Sequence, residues 1–160
     1  MKKYTPLPRK NAGIMLVEAL VSILVFSIGI LALVGMQAVA VKVSSDAKYR
    51  SDAALLANQL IGQMWVSDRT QATLQANYSS PSGAGYTAWA WGGTGSAGTQ
   101  TSPASGTVLS NLPGALAPSV VITPVATTSI PSSLVTITIR WISPNDQQSH
   151  NYVANVQIGG

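Results

Sequence analysis

Residues 14–41 read IMLVEALVSILVFSIGILALVGMQAVAV, a run of 28 positions with a single charge, Glu18. A bilayer core about 30 Å thick is crossed by roughly 20 apolar residues in a helix, so the run is long enough to span. A cleaved secretory signal is the competing reading. Its apolar core should stop after about 7–15 residues at a small-residue cleavage site. Here the core is longer, and VKVSSDAKYR after it continues a helical pattern. Lys2, Lys3, Arg9 and Lys10 precede the run with no acid among them, which predicts a cytoplasmic N-terminus; Lys42, Lys48 and Arg50 beyond it reduce that bias.

An ionised side chain inside such a run costs on the order of 2.5–3.5 kcal/mol even on lenient insertion scales. Two readings of Glu18 follow. It reaches water at the interface by snorkelling, or it awaits a positive partner within an assembly. Its place five residues after Gly13 bears on the choice. The string RKNAGIMLVE at 9–18, leading into an uninterrupted apolar helix, resembles the class III leader of type IV prepilins and pseudopilins. The resemblance implies that prepilin peptidase cuts between Gly13 and Ile14. It further implies that Ile14 is the first mature residue and carries the N-methyl group, and that Glu18 is the fifth-position glutamate setting register in assembly. Isoleucine stands here where the family usually has phenylalanine, and Met15 where Thr or Ser is common.

Within that family, MLVEALVSILVFSIGILALVGMQ and the later YRSDAALLANQLIGQM look like the PilV-type minor pilins, the type IV pilus modification proteins. The likeness covers roughly residues 9–69. It implies a pilin-like α+β fold, with a long N-terminal helix packed on a small antiparallel sheet. The partners implied are prepilin peptidase, other major and minor pilins, the inner-membrane assembly platform and membrane lipid. The implied location is a single pass of the inner membrane, head in the periplasm, and then the pilus at the cell surface, with roles in adhesion and twitching motility. Type II secretion pseudopilins share the same N-terminal grammar and are the alternative. A membrane-anchored periplasmic binding module that keeps its leader is another.

No proline occurs between Pro8 and Pro81, which suits one helix running from residue 14 to about 70. Ala53, Leu56, Ala57, Leu60, Ile61, Met64 and Trp65 recur at steps of three and four, an apolar stripe expected to back a head. Gly29 and Gly35 are weak points of the membrane half, expected to let it unwind locally in a filament. The chain is thus divided into a leader at 1–13, a transmembrane or filament-core half-helix at 14–41, an amphipathic half at 42–70 and a head at 71–160.

Between residues 70 and 139 there is no charged side chain. The Gly/Ser/Thr-rich first part is expected to form loops around one short strand, with Trp89 and Trp91 on one side of it. That pair either packs in the core or forms an exposed contact for a neighbouring subunit. Three β-branched alternating runs, 119–123, 134–141 and 151–158, predict strands, the last two joined as an antiparallel hairpin.

Chemistry is sparsely represented. The chain has no cysteine, one histidine and one glutamate, with only 9% charged residues against about 25% in ordinary soluble proteins. Disulfides and thiolate sites are excluded. His150 is expected in a solvated loop, with Asp146 as a turn residue. GTGSAG at 93–98 matches GxGxxG by spelling, but more Thr, Ser and Pro follow it where a phosphate cradle needs a helix. Asn77-Tyr78-Ser79 spells a glycosylation tripeptide, uninformative in the bacterial setting implied. No catalytic residue, metal or cofactor is expected. The net charge of +4 resides in the first thirteen residues: five basic and five acidic residues follow them. Direct nucleic-acid binding is therefore not expected.

Overall fold

A computed structural model describes residues 12–93, 102–125, 131–144 and 148–159. In chain order the elements are helices α1 (Ala12–Val66), α2 (Gln71–Tyr78), α3 (Ala84–Ala90) and α4 (Val108–Asn111), followed by strands β1 (Leu116–Val125), β2 (Ser132–Ile142) and β3 (Ser149–Gly159). The architecture is α+β, a long N-terminal helix followed by a small antiparallel sheet, consistent with a pilin-like fold. Two compact units divide the chain, Met1–Ser44 and Ser45–Gly160. The boundary falls where α1 changes from apolar all round to apolar on one side.

In the second unit, Ala53, Leu56, Ala57, Leu60 and Met64 are buried, so five positions of the expected stripe form the helical wall of a core. Ile61 is half-buried at its edge. Trp65, four residues further along that edge, lies outside the core at 44% exposure, with the Arg69 guanidinium 5.9 Å above its ring. Helix α1 ends at Val66, short of residue 70. Asp68 restarts the chain as α2: its carboxylate accepts from the Thr70 N–H (3.0 Å) and the Thr73 hydroxyl (3.1 Å). Those two bonds hold its pKa below the usual carboxylate range.

The sheet order is β1-β2-β3, and both pairs are antiparallel. Each strand extends beyond its predicted run at both ends, and β2 and β3 pair as the expected hairpin. Val120, Ile122, Val135, Ile137, Ile139, Trp141 and Ile158 face the helical wall. Alternation of apolar and polar residues produces this one-sided burial directly.

The segment between helix and sheet departs from expectation. It holds three short helices, and Trp89 lies in the last turn of α3 with Trp91 just after it. Both indoles are buried. Trp89 Nε1 donates to the Leu56 carbonyl of α1 (2.8 Å), and Tyr86 donates through its hydroxyl to the Pro118 carbonyl of β1 (2.6 Å). The Tyr86 ring meets Trp91 edge-on at 5.3 Å, a favoured aromatic geometry. Gly92 takes a positive φ of 84°, and a Cβ there would collide with Ala104. The tryptophan pair is therefore core, and α3 links the helix to the sheet.

Two outcomes follow for the head. In denaturant unfolding of the full chain in detergent, Trp89→Ala should lower stability by about 3–5 kcal/mol, the range for emptying a buried aromatic site. Trp65→Ala should change it by no more than about 0.5–1 kcal/mol, the scale of an exposed cation–π contact. Burial pushes the Tyr86 phenol up to about 12 from its ordinary 10. The folded state thus holds that proton more tightly than the unfolded chain. Its contribution should be complete below about pH 10 and disappear as pH rises towards about 12, and Tyr86→Phe should flatten this decline in unfolding midpoints measured across that range.

Candidate functional site

The first unit contains the residues singled out from the sequence. Every residue from 13 to 44 is exposed, including Ile14, Phe26, Leu31 and Met36, the last two at 74%. Leucine, isoleucine, valine and alanine hold α1 as a helix on all sides of its axis, so no face of it is polar enough to prefer water. It is long and apolar enough to cross a membrane, with none of that stretch buried within the chain.

The polar groups within it are arranged accordingly. Ser22 Oγ donates to the Glu18 carbonyl (2.8 Å) and Ser27 Oγ to the Ile23 carbonyl (2.7 Å), each one turn back. Both hydroxyls are satisfied inside the helix, as a hydrocarbon setting demands. Gly29 and Gly35 leave open space where a Cβ would stand, and in the single chain α1 runs unbroken through both.

Gly13, Ile14 and Glu18 lie in the first two turns of α1, and together with Val17 they line one shallow concavity. Ile14 and Glu18 are four apart and share a helix face. Glu18 is exposed and belongs to no ion pair among the described residues. A lone acid on an otherwise apolar face can accept hydrogen bonds or a cation from outside the chain; with a single carboxylate there is no acid–base pair. The basic residues of the leader, Lys2, Lys3, Arg9 and Lys10, lie outside the described residues.

In the second unit the remaining candidates are dispersed. His150 is in β3, not a loop, half-buried and stacked on Trp141 at 5.9 Å with 21° between rings. It is drawn into the strand because it pairs directly with Trp141 in the β2–β3 register. Asp146 and most of the GxGxxG match, residues 94–98, lie outside the described residues. No group of three or more His, Cys, Asp or Glu side chains that could hold a metal occurs among the described residues. Asp46 accepts from Ser143 Oγ at 2.8 Å, tying α1 to the end of β2. Sequence reasoning gave neither residue a role, and a pair so far apart in the chain carries no local signal.

No family model matches the chain, and neither a curated protein nor a solved structure does. The functional reading therefore rests on the residues and on the geometry above.

Proposed function

We propose that this chain is a minor type IV pilin, a low-abundance subunit that primes, caps or modifies the pilus. The observation that carries the reading is the pairing of an apolar half-helix, exposed from residue 13 to 44, with an independently cored head on the same chain, the helix opening on Gly13, Ile14 and Glu18. In this account the precursor sits in the inner membrane with its N-terminus cytoplasmic and its head periplasmic. Prepilin peptidase removes residues 1–13, and the assembly platform passes the subunit from lipid into a filament of other pilins.

Cleavage creates a cation where none existed, the α-amine of Ile14. That amine and the Glu18 carboxylate are the two charges such a subunit carries into an apolar environment. Glu18 of one subunit would accept the α-amine of its neighbour. The pair offsets much of the desolvation penalty of each charge and fixes axial register, because a helix shifted by one turn would leave both unpaired. No catalytic step is assigned to the protein.

The variant Glu18→Ala should insert and be processed like the unaltered chain, yet fall at least tenfold in sheared surface filaments, as measured by quantitative immunoblotting against the membrane fraction. Equal incorporation would defeat the register mechanism. A deletion strain that loses protein secretion and keeps normal pili would instead place the chain in a secretion filament.

A further inference from the structure

The two edges of the sheet are treated differently. In β1 the backbone of Val120 turns away from β2: its N–H donates to Ser80 Oγ (3.2 Å) and its carbonyl accepts from the Ser80 N–H (3.1 Å). On the same edge the Pro118 carbonyl accepts from Tyr86 (2.6 Å) and the Ile122 carbonyl from Gln75 Nε2 (3.1 Å). Pro118 and Pro124 have no N–H to offer, and the register is interrupted between Leu116 and Ser119. Prolines, a bulge and covering side chains are the usual means of closing an edge. The β1 edge is sealed.

Among the described residues, β3 has none of these. Its eleven residues, SHNYVANVQIG, contain no proline and no charge, and the pairing with β2 is unbroken from Ser149 to Gly159. Alternation carries the backbone direction across the sheet. Since Val120 faces outward, Val121 bonds Thr136, and Val135 in turn bonds Val156. The N–H and C=O groups of Asn151, Val153, Asn155 and Gln157 therefore point off the edge of the sheet. No hydrogen bond to those backbone groups occurs among the described residues. Beside them Tyr152, Ala154 and Val156 face the core side only partly buried, whereas their β2 partners Val135, Ile137 and Ile139 are fully covered.

We infer that the free edge of β3 is a docking site for an extended, uncharged segment of a different subunit, added as a fourth strand. The hydrogen-bond pattern itself selects the occupant, because only another extended backbone matches alternating N–H and C=O groups. Alternate apolar side chains on that segment would complete the cover over Tyr152, Ala154 and Val156. Uncharged polar ones would lie beside Asn151, Asn155 and Gln157. Antiparallel pairing with a second copy of β3 needs a two-fold axis normal to the sheet. Pairing of that kind is the competing occupant, and the Val153→Cys disulfide below tests for it. The inference takes its setting from the pilin reading.

The test compares the full chain in detergent micelles with the same chain in sheared filaments by hydrogen exchange, read on peptic fragments covering residues 151–157. Exchange at least tenfold slower in filaments is expected; equal rates overturn the inference. As a second measurement, Asn155→Pro removes one outward N–H, whereas Asn155→Ala removes only the side chain. The proline variant should be depleted at least tenfold from filaments and the alanine variant should not. Proline at the unaltered level, or alanine equally depleted, overturns it. The chain has no cysteine, so a disulfide formed between two Val153→Cys copies in filaments would reassign the edge to self-pairing and overturn the choice of partner. Absence of the unaltered chain from filaments would overturn the pilin reading and this one with it; presence with unchanged exchange would overturn this one alone.

Discussion

An apolar helical surface that none of the described residues covers is the constraint on which everything else depends. From residue 13 to 44 every residue is exposed, and at roughly 25 cal/mol per Å² of apolar surface, leaving that surface in water is costly. A surface of this kind suits cover by lipid or by neighbouring helices. The backbone suits either, since a helix satisfies its own N–H and C=O groups and the two serines satisfy their hydroxyls against it. Glu18 is the exception, an exposed carboxylate on an otherwise apolar face with no ion pair among the described residues.

The second unit solves the same problem internally. The residues of α1 that are apolar on one side only find the sheet and the aromatic side chains of α2 and α3 on that side. Trp89 and Tyr86 matter twice, once through apolar burial and once through hydrogen bonds that anchor α3 to a carbonyl of α1 and a carbonyl of β1. A core made this way needs no disulfide, in keeping with the absence of cysteine. The same packing seals one edge of the sheet and leaves the other to be completed from outside.

What was legible in the sequence followed the periodicities. The long helix and three strands carry strong patterns, and the spacing of Gly13, Ile14 and Glu18 is local, so all of these could be read without coordinates. Helices α2, α3 and α4, at eight, seven and four residues, are too short to hold themselves together or to show a period; tertiary contacts make them. The Asp68-Arg69-Thr70 turn ahead of α2 was visible in principle as an Asx turn hidden among polar residues. Trp65 lies four residues after Ile61 and so shares the period of the stripe, but that row runs along the edge of the stripe and leaves the core within one turn. The Asp46–Ser143 contact and the sealed edge of β1 depend on residues brought together only by the fold.

The central claim is that residues 1–13 are removed and the remainder joins a surface filament. Mass spectrometry of sheared filaments tests it most directly, by a search for a peptide whose first residue is Ile14, with or without an added methyl group. The account predicts that this peptide is present and that peptides from residues 1–13 are absent. A chain in the membrane fraction that still carries its leader, with no Ile14-terminated peptide in the filaments, would contradict it.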